Sequence, residues 1–194
     1  MIKLIGISGK ARAGKDTVCD MMIKELDNSL RYAMADPIKA SLFGMLGITT
    51  MTEQTNLMQA KEEPIPWLGH SPRALLQEIG GGLRESLSRD IWIRFLERFC
   101  EEFVAMESLY INKDDHPPIY VIVPDIRYNN EAEYIKENDG IIIRVNNPTC
   151  PAVRKHSSEA GVSIRYVDHI IDNDGTLEEL EEKVKQLLKE GDFE

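Results

Sequence analysis

Apolar positions along this 194-residue chain change period several times, and each change marks an element. Ile2–Ser8 is a nearly continuous apolar run, the pattern of a strand covered on both faces. From Asp16 to Leu26 the apolar residues Val18, Met22 and Leu26 recur at helical spacing. Leu30–Met34 predicts a second strand. Asp36-Pro37 reads as an N-cap followed by proline in the first helical position, opening a helix to about Leu46. Gly47–His70 shows no periodicity and contains Pro64 and Pro66, which predicts an irregular insertion over about residues 47–71. Ser71-Pro72 repeats the cap signal, with a helix through Leu76 that Gly80-Gly81-Gly82 should disturb. Asp90 to about Met106 predicts a long helix carrying Ile91, Phe95, Phe99 and Phe103 on one face.

Ile119–Val123 predicts a third strand, ended by Pro124-Asp125, and Asn130–Glu137 a helix. Ile141–Val145 and His169–Ile171 supply a fourth and a fifth strand. Thr176-Leu177-Glu178-Glu179 is a capping box that opens the last helix. Strands separated by helices predict an α/β protein with a parallel sheet covered on both faces. The length fits a single domain over residues 1–194.

Hydrophobic content of 42% and charged content of 29% fit a soluble globular protein. Runs such as Tyr120–Val123 are far too short to cross a bilayer, so no membrane partner is expected. Met1 leads straight into a strand with no secretory pattern, and the expected location is the cytoplasm. Cys19, Cys100 and Cys150 are scattered, which predicts reduced thiols and no structural metal. The net charge of −10 argues against direct nucleic-acid binding. An anionic ligand would have to be met by local cations working against the protein's own field.

The first strand runs directly into "GKARAGKDT", Gly9 to Thr17. Gly9, Gly14 and Lys15 match the phosphate-binding loop G-x-x-x-x-G-K-[ST], and strand, glycine loop and helix start is the context that loop needs. Its backbone N–H groups approach phosphate oxygens, the helix N-terminus adds partial positive charge, and Lys15 reaches the outer phosphates. The hydroxyl slot holds Asp16, with Thr17 one position late. Two compatible readings stand for Asp16: it orients the water shell of a Mg²⁺ ion, or it complements the positive end of the helix.

"SGKARAGKDT", "ADPIKA", "PRALLQEIG…RDIW", "VIVPDIRYNNEAE", "HSSEAG" and "IDNDGTLEEL" occur in the order seen in phage-type deoxynucleoside monophosphate kinases, which the chain resembles over nearly its whole length. That family carries G-K-D-T in its loop, so the unusual Asp16 becomes a signature. The resemblance implies five parallel strands in the order 2-3-1-4-5 with helices on both faces. It also implies ATP as phosphoryl donor, Mg²⁺ as cofactor, and a deoxynucleoside monophosphate as acceptor. Where relatives carry Gly-Thr-Asp or Gly-Thr-Glu, this chain has Gly80-Gly81-Gly82.

Phosphoryl transfer asks for cations around two anions. On the donor side, Gly9, Arg12, Ala13, Gly14, Lys15, Asp16 and Thr17 form the loop, and Asn173 matches a family position close to the donor base. Arg154 lies in a lid expected over about residues 146–165 and would cover the moving phosphoryl group; His156 there reads as structural. On the acceptor side, Ile38 and Lys39 inherit the family's nucleotide contact. Arg73 and Gln77 share one helix face, and Arg84 joins them. Asp125 and Arg127 lie at the carboxyl end of the third strand, the edge where open α/β sheets gather ligands. There Asp125 is expected to hold either the metal's water shell, with Asp16, or an acceptor group, and Arg127 is expected to bind acceptor phosphate. Each arginine has an ordinary alternative as a solvated surface residue. Trp92 reads as core and Glu131 as helix support.

Two other functions remain open from sequence. One is a kinase of another small phosphorylated acceptor, because animal phosphomevalonate kinases show a similar G-K-D loop. The other is a regulatory protein that binds a nucleotide without transferring phosphate. Partners are expected to be small nucleotides, and a homodimer is the first expectation for assembly.

Overall fold

The computed structural model describes residues 1–107, 117–150 and 161–191. These divide into two compact units, Met1–Ala33 with Leu96–Glu194, and Met34–Phe95. The first unit is built on β1 (Ile2–Ser8), β2 (Ser29–Arg31), β3 (Ile119–Ile126), β4 (Ile141–Asn146) and β5 (His169–Asp172). They form one five-stranded sheet in the order β2-β3-β1-β4-β5. Every pairing in it is parallel. Its helices are α1 (Lys15–Glu25), the part of α5 (Ile91–Glu107) from Leu96 onward, α6 (Asn129–Glu137) and α7 (Leu177–Glu190).

Strand alternation sorts the core between two faces. Ile5, Ile7, Ile122, Ile143 and Val145 cluster with Val18 and Met22 of α1 and with Leu180 and Val184 of α7. On the other face, Ile135 of α6 packs over Gly6, its Cδ1 3.4 Å from where a Gly6 Cβ would stand. The sheet is therefore covered on both sides, as near-continuous apolar strands require. Cys19 is buried in this core, and burial pushes its thiol up to about 12.

Two strand boundaries differ from the sequence expectation for one reason. Tyr120 N donates to Asn28 O at 3.0 Å and Ile122 O accepts from Tyr32 N at 3.0 Å, so even-numbered β3 residues face β2. The next donor in that series is Pro124, which has no N–H. The ladder stops there, and β2 covers only Ser29–Arg31 rather than reaching Met34. Pro124 itself does not end β3. Gly6 pairs with Val123 and Ser8 with Ile126, so β3 gains one residue on β1 across Pro124-Asp125. Such a bulge accommodates proline and turns the chain at the sheet's carboxyl edge.

The second unit holds α2 (Asp36–Leu46), α3 (Met51–Gln59), α4 (Pro72–Ser86) and the first residues of α5 (Ile91–Glu107). Asp36 is not the N-cap of α2. Ala35 holds that position without a side-chain cap, and the Asp36 carboxylate instead accepts from Lys39 Nζ at 2.8 Å. Pro37 then lies in the second helical position, where its missing N–H is still among those a helix leaves unpaired.

The expected irregular insertion contains α3. Thr50 Oγ1 accepts from Glu53 N at 3.3 Å and Glu53 Oε2 accepts from Thr50 N at 3.2 Å, a capping box. No residue of α3 is buried, so no apolar stripe announces it.

Helix α4 also runs unbroken through Gly80-Gly81-Gly82. Trp92, 3% exposed, donates Nε1–H to Gly80 O at 3.1 Å, which accounts for its core position. A Cβ on Gly81 or Gly82 would meet nothing within 4 Å, whereas one on Gly80 would stand 3.0 Å from Ile38 Cδ1. Gly81→Ala and Gly82→Ala should therefore each raise stability by about 0.5–1 kcal/mol, the helical cost of glycine. Urea unfolding checks this, and a loss of stability in both variants would contradict it.

Candidate phosphate site at the carboxyl edge of the sheet

The loop between β1 and α1 has the geometry that its glycines anticipate. Gly9 has a φ of 147° and Gly14 a φ of 96°. A Cβ at Gly9 would stand 2.4 Å from Val145 O, and one at Gly14 2.5 Å from Asn173 Nδ2. Both positions exclude any side chain, by conformation and by space. Arg12, at a φ of 65°, is exposed and has no ion pair or side-chain hydrogen bond among the described residues. Gly14 is the N-cap of α1, and Lys15 opens the helix. Lys15 Nζ donates to Lys10 O at 2.9 Å, so the ammonium reaches back across the loop.

Asp16 points to solvent, with 77% of its side chain exposed, and Oδ1 accepts from Arg31 Nη2 at 2.8 Å. The carboxylate in the hydroxyl slot is thus partnered by a cation from the end of β2, a contact that the sequence reading did not contain. Thr17 is half-buried in the first turn.

Asn173 lies just beyond β5 and donates Nδ2–H to Ala13 O at 2.9 Å. Its backbone N–H donates to Asn146 O at 2.7 Å. Lys183 of α7 closes the same turn from behind, donating to Asp172 O at 2.6 Å and to Asp174 Oδ1 at 2.8 Å. The Lys183 hydrogen bond holds the Asp174 carboxyl below its ordinary range.

A cavity of about 480 Å³ opens beside the loop, lined by Lys10, Arg127, Arg144, Asn146, Asp172 and Asp174 among others. Arg144 was not singled out from sequence, because an arginine within a strand carries no motif. In the fold, β4 sets Arg144 beside Ser8, the residue before the loop, and its guanidinium donates to Val162 O. Arg127 follows the bulged end of β3. Its N–H and that of Tyr128 donate to Glu131 Oε2 at 2.8 and 3.1 Å. Glu131 is 1% exposed, so helix support is its role, and the peptide it holds is the one that carries Arg127. Asp125, half-buried, is the next-to-last residue of β3.

The expected acceptor residues Ile38, Lys39, Arg73, Gln77 and Arg84 all fall in the second unit. Ile38 packs over Gly80 of α4. Lys39 is paired with Asp36, which offsets the unfavourable dipole at a helix start. Arg73 Nε donates to Glu62 Oε1, and Arg84 Nη1 to Arg89 O at 2.8 Å. Arg73, Gln77 and Arg84 follow one another along a single face of α4, with the bare Gly81 between the last two. Arg154 and His156 lie outside the described residues. Among the described residues, no group of three or more His, Cys, Asp or Glu could hold a metal ion directly. No helix among them is long and apolar enough to cross a membrane.

A family model described as deoxynucleotide monophosphate kinase matches residues 3–65 and 69–184. A putative deoxynucleotide monophosphate kinase of Acanthamoeba polyphaga mimivirus is 29% identical over 179 residues, 91% of each chain. The deoxynucleotide monophosphate kinase of Enterobacteria phage T4 is 27% identical, covering 97% of this chain and 99% of that protein. The deoxynucleoside-5'-monophosphate kinase of Escherichia phage T5 is 25% identical, covering 89% of this chain and 90% of that one.

Proposed function

This chain belongs to the deoxynucleotide monophosphate kinase family, and from that premise we propose that it moves the γ-phosphoryl group of ATP onto a deoxynucleoside monophosphate. An oxygen of the acceptor phosphate attacks the γ-phosphorus. The bond from that phosphorus to the bridging β-oxygen breaks, ADP leaves, and the product is the deoxynucleoside diphosphate. No phosphoenzyme forms, because the chemistry asks for positioning and charge stabilisation rather than a covalent relay.

The observation that carries this reading is the loop Gly9–Lys15, two positive-φ glycines closing a turn onto a helix start beneath a lysine ammonium. Its amides and Lys15 take the β- and γ-phosphates, and Arg12, exposed in the same loop, answers charge that develops on the γ-phosphoryl oxygens. Thr17 supports an inner phosphate. Arg127 at the sheet edge meets the acceptor phosphate. Ile38, Lys39, Arg73, Gln77 and Arg84 hold the acceptor nucleotide, with Arg73 exchanging its Glu62 partner for an anion. We assign Arg154 to the same charge-stabilising set.

A bound Mg²⁺ would supply neutralisation of phosphate charge in the transition state. The donor set fits a hydrated ion: the exposed Asp16 carboxylate engages Arg31 through Oδ1 at 2.8 Å, and Asp125 stands at the strand end. Arg31 holds the Asp16 carboxylate in place. We read residues 1–194 as one kinase domain, acting as a homodimer on soluble nucleotides in the cytoplasm.

The test is ADP release coupled to a panel of acceptors: the four deoxynucleoside monophosphates, their ribose counterparts and phosphomevalonate. Turnover is expected with at least one deoxynucleotide. Turnover with none of them would defeat the reading. Equilibrium dialysis should show an unreactive ATP analogue and the monophosphate bound together, whereas a single nucleotide site would favour a regulatory protein.

A further inference from the structure

The turn after β5 is tied to three elements at once. It is bonded to β4 through Asn146 and to α7 through Lys183. It reaches the phosphate loop through the Asn173 amide, which donates to Ala13 O across 160 residues of sequence. A carbonyl only accepts, so the amide nitrogen, not its oxygen, must face Ala13. Ala13 is 1% exposed, and this contact is made beneath the loop rather than on its surface.

The gripped carbonyl belongs to the same peptide unit as the Gly14 N–H. That unit is planar and trans, so its oxygen and its hydrogen point in opposite directions. Holding the Ala13 oxygen from the β5 side aims the Gly14 hydrogen away from it. Gly14, at a φ of 96°, is the residue at which this peptide can most easily rotate. No hydrogen bond to another described residue uses its N–H. The absence of a Cβ on Gly14 is also what lets the Asn173 amide lie against it, since a Cβ would stand 2.5 Å from Nδ2.

We propose that Asn173 is a positioning residue for the phosphate loop, its amide pinning the Ala13–Gly14 peptide so that Gly14 N–H faces the donor phosphates before they arrive. The proposal rests on the kinase reading but assigns Asn173 a role independent of the donor's base. Preorganised donors are what make such a loop effective, and a freely rotating peptide would forfeit part of that gain.

Inorganic tripolyphosphate separates the two roles, because it carries the phosphates and no base. Titration calorimetry on the full chain would compare wild type, Asn173→Ala and Asn173→Asp with tripolyphosphate, ATP and an acceptor monophosphate. The aspartate is isosteric and cannot donate to Ala13 O, so it serves as the readout if the alanine variant does not fold. The Kd for tripolyphosphate should rise about tenfold, the loss of roughly one hydrogen bond. That for ATP should rise by the same factor, the acceptor Kd should hold, and hydrogen exchange at Gly14 in the tripolyphosphate-bound protein should quicken. Tripolyphosphate binding within twofold of wild type in the folded variant, with ATP alone weakened, would overturn the proposal and leave Asn173 as a base contact. A wild-type protein that binds neither tripolyphosphate nor ATP would instead defeat the kinase reading.

Discussion

Replacing Lys15 with alanine is expected to lower kcat for phosphoryl transfer by about 10²–10³-fold, the range for removing one preorganised charge-stabilising group. The lysine opens α1 directly after Gly14, where the helix N-terminus already favours anions. Its ammonium is held near the loop by Lys10 O at 2.9 Å, so little reorientation is needed to exchange a carbonyl for phosphate oxygens. The charge matters most as the phosphoryl group moves, and the effect should fall more on kcat than on the KM of the acceptor. Fold should be preserved, because Lys15 is not part of the buried core. Steady-state ADP release at saturating substrates, beside a thermal melt, checks this. A folded Lys15→Ala protein with kcat within threefold of wild type would remove the loop from the mechanism.

The second large effect is on stability. Glu131→Ala should lower the unfolding free energy by roughly 3–5 kcal/mol, because the carboxylate accepts two backbone hydrogen bonds, each worth about 1.5–3 kcal/mol when one partner is charged. The side chain is 1% exposed, so water cannot readily replace it at Arg127 N and Tyr128 N. Glu131→Gln keeps the size and one acceptor oxygen, and should lose less than half as much. The junction at risk joins β3 to α6 and carries Arg127, so the alanine variant should also raise the KM for the acceptor monophosphate. Urea unfolding and acceptor titration check both parts. A stability change under 1 kcal/mol would show that the two N–H groups find other partners.

The relation between sequence and structure divides along a physical line. Where burial is periodic, the elements are legible: β1 runs from Ile2 to Ser8 as its apolar pattern predicts, and the capping box at Thr176 and Glu179 opens α7. Where an element buries nothing, periodicity is silent. Helix α3 was missed for that reason, although its Thr50-x-x-Glu53 capping box was present in the letters. Gly80-Gly81-Gly82 do not break α4, because three adjacent glycines cost helix propensity without forbidding a helix that packing holds in place. Pro124 does not end β3, because a bulge and the end of the neighbouring strand remove the conflict.

The loop geometry after β1 was legible in the sequence because its parts are local: a strand, two positive-φ glycines, a lysine and a helix start are consecutive. Its supports were not. Arg31 on Asp16 and Arg144 beside the cavity come from β2 and β4, and Asn173, which the resemblance placed near the donor base, grips Ala13 from the turn after β5, a contact no motif announces. A hydrogen bond to a backbone carbonyl leaves no mark on the identity of the residue that accepts it, so Ala13 could not have named its partner. The chain by itself therefore determined the strand–loop–helix to which we assign phosphate binding, and the alternation that builds a parallel sheet. Only the tertiary structure decided which distant side chains hold that loop in shape, because strand order, not sequence distance, sets what lies within 3 Å of it.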